Sequence, residues 1–384
     1  MEKISTMEDL SRVNTHFTLD VFRKLSETNQ VGNIFFSPLS ISTALAMVYH
    51  GAKNNTASQM AKVLHFDQVA DLHSGFQTLQ SDINKAGALY VLKTANRLYG
   101  EKTFNFFEEF IQTCVKLYGA NLLPVNFLSA ADEARQEINK WVEDQTEGKI
   151  QDLLAHGSVD HLTKLVLVNA IYFKGSWAEK FDEKLTEEMP FKLNKNESRT
   201  VKMMYLMKKF RFNYIPEVKC KVLELPYVGK ELSMIIMLPD DNEDGSPGLK
   251  QLETMLTLEN LQEWTKLNCM PVEVHVRLPK FKLEDNYELK PILSSLGMQD
   301  VFDSAKVDLS GMSGCRDLYM SRVVHKSFLE VNEEGTEAAA ATAAIASFCM
   351  LTREEIFTAD RPFLFFIRHT KTNSILFFGR VSSP

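Results

Sequence analysis

Side chains that could bind a metal or carry out catalysis are scattered along this chain and form no recognisable set. The nine histidines and five cysteines include no Cys-x-x-Cys pair and no His-Glu-x-x-His. Gly-x-Ser-x-Gly and the glycine-rich nucleotide-binding patterns are also absent. We therefore expect no cofactor, no metal site and no catalytic residue, and a protein that is not an enzyme.

Two polar residues interrupt apolar, strand-like runs. Asn169 lies in the run 165–173, which is typical of a central strand covered on both faces. Its amide needs a partner, because an unsatisfied buried polar group costs about 1–3 kcal/mol. His325 lies in the run 321–328, where a lone histidine is more often a hydrogen-bonded core residue than a catalytic base.

The stretch 333–353 has a pattern of side-chain size and charge. Its even positions from 336 to 346 are Thr, Ala, Ala, Thr, Ala and Ala, whereas the odd positions include Glu337. Since a strand directs alternate side chains to opposite faces, one phase could enter a packed interior without burying a charge. Alanine is also the best helix former, so these residues alone are equally compatible with a short helix or a linker.

The composition favours a globular protein that does not bind nucleic acid. The chain is 45% hydrophobic and 24% charged, with a net charge of -7. A small basic cluster, Lys208, Lys209 and Arg211, alternates with aromatic residues in a way that suggests weak polyanion binding. In an acidic protein, a solvated strand face is the better interpretation of that cluster.

Cysteine usage and the first residues predict the compartment. The cysteines are odd in number and widely spread, which is typical of reduced thiols in a cytosolic protein. Residues 1–9 lack the apolar core of a secretory signal, and no run approaches the 18 apolar residues of a membrane span. We expect a cytoplasmic protein without membrane contact, whose release from the cell would proceed without a signal peptide. The cysteines are Cys114, Cys220, Cys269, Cys315 and Cys349.

Helices and strands alternate without βαβ regularity. An amphipathic helix is predicted from Leu10 to Leu25, and a mostly apolar helix over 40–50. The end of the chain, 363–367 followed by 375–378, reads as a buried hairpin. Further strands are predicted at 221–225, 232–238 and 272–278. This arrangement predicts an α+β protein with mostly antiparallel sheets.

Four segments resemble the serpin family, and the lack of a secretory signal together with the ending Ser383-Pro384 resembles its ovalbumin-type intracellular branch (clade B). The four segments are 33–41, 169–177, 333–342 and 357–367, in the family's order. The matches extend from the first helix to the last hairpin, so the resemblance covers essentially the whole chain. It implies an α+β serpin fold, in which residues 1–384 are one domain with three β-sheets, eight or nine helices and an exposed reactive-centre loop at 333–353.

The resemblance also implies a suicide mechanism of protease inhibition. A target serine would attack the carbonyl of Cys349, so that Cys349–Met350 is the scissile bond and an acyl-enzyme forms. The freed loop would then insert as a strand of the main sheet and trap the protease. Phe348 is the alternative reactive residue. The implied hinge residues are Glu333, Gly335, Thr336, Glu337, Ala338, Ala339, Ala340 and Ala341.

Two groups of residues are implied to control the opening of that sheet. An ion pair between Lys280 and Glu333, beside Trp177, would lie in the breach at the top of the sheet. A hydrogen-bonded shutter cluster would lie at its middle, and would supply both a partner for Asn169 and a structural role for His325. Its members would be Ser37, Ser40, Asn169 and His325.

The side chains at the reactive bond predict the target class. Cys349 is small and apolar, which suits elastase-like pockets, and Phe348 suits chymotrypsin-like pockets, including those of cathepsin G type. We expect a monomer whose partners are serine proteases of these types. The alternative is a non-inhibitory serpin that acts as a binding or storage protein. Thr336 argues against it, since such relatives often have a bulky or charged residue there.

Overall fold

A computed structural model describes residues 2–334 and 353–384. Ten α-helical segments occur in these two ranges, and the last has only four residues. Nine are thus longer than a single turn, in agreement with the eight or nine helices expected. They are α1 Glu2–Thr28, α2 Pro38–Gly51, α3 Asn54–Leu64, α4 Leu72–Ile83, α5 Glu108–Tyr118, α6 Phe127–Gln145, α7 Leu249–Met255, α8 Leu258–Trp264, α9 Lys290–Leu296 and α10 Ser310–Ser313.

Fifteen strands of the described residues form three sheets, which confirms the α+β fold. Their bounds are β1 Ile34–Phe36, β2 Val91–Glu101, β3 Asn121–Val125, β4 Leu165–Lys174, β5 Glu187–Lys192, β6 Ser198–Phe210, β7 Phe212–Ile215, β8 Cys220–Pro226, β9 Leu232–Pro239, β10 Val272–Pro279, β11 Phe281–Glu288, β12 Met320–Val331, β13 Glu354–Thr358, β14 Phe363–His369 and β15 Ser374–Val381. Most pairings are antiparallel, as predicted; the parallel ones are β12–β4, β2–β3 and β10–β13.

The five-stranded sheet has the strand order β11-β12-β4-β2-β3. Its two central strands, β12 and β4, pair directly and in parallel from Met320 opposite Leu165 to Leu329 opposite Phe173. Parallel strands need a long connection, and the chain between β4 and β12 supplies one. The β2–β3 pairing of this sheet is also parallel, whereas β11–β12 and β2–β4 are antiparallel. The direct pairing leaves no room for another strand between β12 and β4.

The other two sheets have the strand orders β1-β15-β14-β9-β8-β7 and β13-β10-β6-β5. The predicted hairpin near the end of the chain is formed by β14 and β15, whose residues are all buried. The ring centroid of Phe173 in the five-stranded sheet lies 5.8 Å from that of Phe377 in β15. Aromatic contacts of this kind, each burying a large apolar side chain, join the two larger sheets into one core.

Strand β4 is buried along its whole length apart from Lys174. One face contributes Leu165, Leu167 and Phe173 to the main core. The opposite face packs Val166 and Val168 against residues of α6 in a second core. This confirms the prediction that the run 165–173 is a central strand covered on both faces. In the described part of the chain, no helix has the length and apolar character needed to cross a bilayer.

Candidate functional site

A chain of hydrogen bonds crosses the middle of the five-stranded sheet. The backbone N–H of Ser37 donates to Nε2 of His325 over 3.0 Å, and Nδ1 of His325 lies 2.7 Å from Oδ1 of Asn169. The amide nitrogen of Asn169 donates to Oγ of Ser40 over 2.7 Å. The structure therefore brings together the four residues that the family resemblance implied as a shutter cluster, and Asn169 has the partner it needs.

His325 is neutral in this network. Its side chain is completely buried, and burial lowers its pKa to about 3. Because Nε2 accepts a hydrogen bond from Ser37, the ring proton lies on Nδ1 and is donated to Asn169. A protonated ring would have no acceptor at Nε2, so the network itself is incompatible with a charged His325.

The cluster joins elements that would have to move if the sheet opened. His325 and Asn169 are register partners on β12 and β4, the two central strands. Ser37 and Ser40 lie at the start of α2, where Pro38 occupies the first helical turn. Oγ of Ser37 also donates to the carbonyl of Leu376 in β15. The start of α2 thus contacts both the centre of the five-stranded sheet and strand β15 of the six-stranded sheet.

A second group of contacts lies where β12 ends. Nζ of Lys280 is 2.6 Å from Oε1 of Glu333, and Oγ1 of Thr186 donates to Oε2 of the same carboxylate over 3.0 Å. The indole N–H of Trp177 donates to the carbonyl of Asn332 over 2.9 Å. The predicted Lys280–Glu333 pair is therefore present, and Trp177 fixes the backbone one residue before it.

Glu333 is only 5% exposed, yet it remains a carboxylate. Burial pushes its pKa upwards, but the hydrogen bonds from Lys280, from its own backbone N–H and from Thr186 outweigh burial and hold the pKa below its usual value. A buried charge with this many donors is stable in place and costly to release. Thr186 precedes β5 and was not predicted, because nothing in its sequence surroundings marks it as a partner of residue 333.

The proposed reactive and hinge residues other than Glu333 fall outside the described residues. These are Phe348, Cys349 and Met350 at the bond, and Gly335, Thr336, Glu337, Ala338, Ala339, Ala340 and Ala341 at the hinge. Their flanks are described. Glu334 lies 3.9 Å from Lys174 at the end of β4, whereas Glu354 begins β13, an edge strand of the four-stranded sheet. The segment 335–352 therefore connects two different sheets.

The basic residues Lys208, Lys209 and Arg211 are exposed, as expected of a solvated strand end. A different cluster was missed. The fold places His16, Asp20 and His65 together, with ligand atoms within 4.8 Å of one another. The spacing of His16 and Asp20, four residues apart in a predicted helix, was a usable signal. His65 comes from another element, and its position could not be read from the sequence.

The sequence model of the serpin (serine protease inhibitor) family matches residues 12–384 of this chain. The chain belongs to the serpin family. It is therefore a member of a family of protease inhibitors and not an enzyme, as expected, and its three-sheet architecture is the serpin fold.

Relatives and solved structures resemble this serpin along its full length. It is 62% identical to leukocyte elastase inhibitor of Homo sapiens and 61% identical to that of Xenopus tropicalis, each match covering 98% of this chain and 100% of the relative. The structure of uncleaved ovalbumin is 41% identical, with a TM-score of 0.89, and covers 98% of this chain and 100% of its own. A maspin crystal structure, 39% identical, has a TM-score of 0.91 and covers 99% and 100%.

Proposed function

We propose that this serpin is an irreversible suicide inhibitor of elastase-like and chymotrypsin-like serine proteases. The observation that carries the proposal is the direct β12–β4 pairing, held by the buried cluster around His325. In the sequence that follows β12, the even positions from 336 to 346 are all small and uncharged. If β12 and β4 separate, one further strand can pair with both of them. Relatives named leukocyte elastase inhibitor, about 60% identical over the full chain, support the same target class.

Topology favours insertion of the segment after Glu333 in one direction. The chain leaves β12 at Val331, and a segment that turned back there would run antiparallel to β12. Since β4 is parallel to β12, the same segment would be antiparallel to β4 as well. One parallel pairing would be replaced by two antiparallel ones, which are slightly more stable per residue. The inserted state would thus be lower in free energy, and the active state would be kinetically trapped.

In this mechanism the protease serine attacks the carbonyl carbon of Cys349. The peptide bond to Met350 breaks, the amine of Met350 leaves with a proton, and an ester links Cys349 to the enzyme. Residues from Gly335 onwards then enter between β12 and β4 and carry the acylated protease away from its starting position. Cys349 suits elastase-like pockets, while attack one bond earlier, at Phe348, suits chymotrypsin-like and cathepsin G-like pockets.

We also propose a location in the cell and an oligomeric state. The four cysteines in the described residues are free thiols, which supports action in the reducing cytoplasm, with release from the cell as a further expectation. We expect a monomer, because the mechanism needs one chain and one protease. Weak polyanion binding at Lys208, Lys209 and Arg211 remains a prediction.

The decisive experiment is to mix the full chain with neutrophil elastase and separate the products on a denaturing gel. We expect a covalent complex that survives SDS. In Thr336→Arg, insertion has to bury a charge and the protein becomes a cleaved substrate; in the matched variant Glu337→Arg, the charge lies in the alternate phase and complex formation persists.

A wild-type chain that elastase only cleaves would favour the second candidate, a non-inhibitory serpin that binds or stores. Equal complex formation in the two arginine variants would instead contradict the insertion mechanism while leaving inhibition intact.

A further inference from the structure

Two histidines and one carboxylate meet on the surface formed by α1 and the end of α3. His16 and Asp20 are one turn apart on α1 and share a face. His65 follows α3 with a left-handed backbone, φ 60°, which turns the chain at this point. Its Nε2 lies 2.9 Å from Oδ2 of Asp20, and each of the three residues offers an atom within 4.8 Å of the other two.

We propose that His16, Asp20 and His65 form a binding site for a divalent transition metal such as Zn²⁺. Two imidazoles and a carboxylate are a ligand set that Zn²⁺ uses in sites with an open fourth position. Ligands 2.0–2.1 Å from a tetrahedral Zn²⁺ lie about 3.3 Å apart. The His65–Asp20 pair therefore has to separate by only a few tenths of an ångström. The side chains of His65 and Asp20 are 16% and 22% exposed, so water can supply the remaining ligand.

The two imidazoles are stacked, and this sets a condition on binding. Their centroids lie 3.8 Å apart and their planes differ by 9°. Lone pairs of parallel stacked rings do not converge on one ion, so one ring has to turn about its Cβ–Cγ bond. That torsion is broad for histidine, and both side chains are only partly buried. Metal binding therefore has to separate the two stacked rings. Loss of the stacking can be observed directly, without measuring how tightly the metal binds.

The charge of the cluster suits a bound cation. A ligating imidazole has to be unprotonated, which is the ordinary state of imidazole above pH 7. Asp20 supplies a negative charge. Arg23 opposes a cation, because its Nη1 lies 3.8 Å from Asp20. Its Nη2, however, donates to the carbonyl of Leu256, and its side chain is half exposed, so that solvent screens its charge.

A bound ion would cross-link α1 to the turn that follows α3. Since the three ligands are assembled only in the folded chain, binding stabilises the folded state by mass action. Metal binding here does not depend on the inhibitory mechanism, because His16 and Asp20 lie on α1 and His65 directly follows α3, so that none of them lies on β12 or β4. It predicts that Zn²⁺ raises the melting temperature of the protein.

The test is a calorimetric titration of the full chain with ZnCl₂ at pH 7.5. The background carries Cys269→Ser, Cys315→Ser and Cys349→Ser, which removes thiols that would also bind the metal. We expect one Zn²⁺ per chain, and at least tenfold weaker binding after His16→Gln or His65→Gln, since even second-shell losses cost tenfold or more. The matched control is His275→Gln, whose imidazole also pairs with a carboxylate, Glu354, at 3.1 Å. It should bind as the background does.

NMR of the ring nitrogens of His16 and His65 in the background chain provides a readout that needs no histidine substitution. Zn²⁺ should shift the resonances of both rings and should abolish the stack. Unshifted resonances would overturn the site, even if a histidine variant failed to fold. Binding of equal strength in His16→Gln, His65→Gln and His275→Gln would overturn it as well.

Discussion

At the scale of single residues, the neutral His325 makes the protein sensitive to acid. Its pKa is about 3 in the folded state and near 6.5 in an unfolded chain, so below pH 6.5 the unfolded state binds the extra proton. The contribution of His325 to the free energy of unfolding is therefore fully present well above pH 6.5 and is lost as the pH falls below it. Between pH 6.5 and 5 this single residue removes about 2 kcal/mol, at 1.36 kcal/mol per pH unit.

The measurement is the urea midpoint of the first unfolding transition, taken from pH 7.5 to pH 5. The wild-type midpoint should fall with pH more steeply than that of His325→Gln, whose side chain does not titrate. His156→Gln is the matched control, because the side chain of His156 is 86% exposed and should leave the slope unchanged. If the midpoint falls equally steeply with pH in wild type and His325→Gln, the His325 ring takes up protons equally in the folded and unfolded states, and the prediction is wrong.

At the scale of elements, the end of β12 is fastened by the Glu333 carboxylate. Glu333→Gln removes the charge that Lys280 and Thr186 hold, while preserving the size of the side chain. A hydrogen bond to a charged group is worth about 1.5–3 kcal/mol. In this mechanism, separating β12 from β4 has to weaken the hydrogen bonds of Glu333 and so loses part of this stabilisation. We expect a synthetic peptide with the sequence of residues 336–346 to insert on the order of tenfold faster into this variant.

Insertion of the peptide can be followed as a mobility shift on a native gel. Glu334→Gln is the matched control, since Glu334 is adjacent but exposed and its ion pair with Lys174 spans 3.9 Å. It should behave as the wild type does. If Glu333→Gln and Glu334→Gln accept the peptide at the same rate, the buried pair does not hold the sheet closed.

The elements differ in how well the sequence predicted them. The run 165–173 and the final hairpin were predicted correctly, because continuous apolar runs admit few other structures. The partners of these strands were not predictable from local pattern. That β12 pairs with β4 depends on contacts across about 150 residues of sequence, and only the family resemblance grouped His325 with Asn169. Thr186 beside Glu333 and His65 beside Asp20 were missed for the same reason.

At the scale of the whole molecule, the proposed mechanism requires the closed five-stranded sheet to be higher in free energy than the sheet with an inserted strand. Insertion of residues 336–346 between β12 and β4 would add two ladders at the centre of the protein and remove one. Cleavage in the segment 335–352 by a protease that escapes inhibition should therefore make the protein more stable, although a peptide bond has been lost. We expect the cleaved chain to melt well above the intact chain in a thermal scan.

The alternation of side chains predicts which substitutions abolish this gain. Ala338→Glu places a charge in the phase that includes Thr336 and would have to bury it, so cleavage should raise the melting temperature of this variant little or not at all. Ala339→Glu places the same charge in the phase that contains Glu337, and most of the increase should remain. Because the two variants have the same composition and neighbouring positions, a difference between them can arise only from the face that each side chain occupies. An equal increase in both would show that the segment does not insert as a strand with period two.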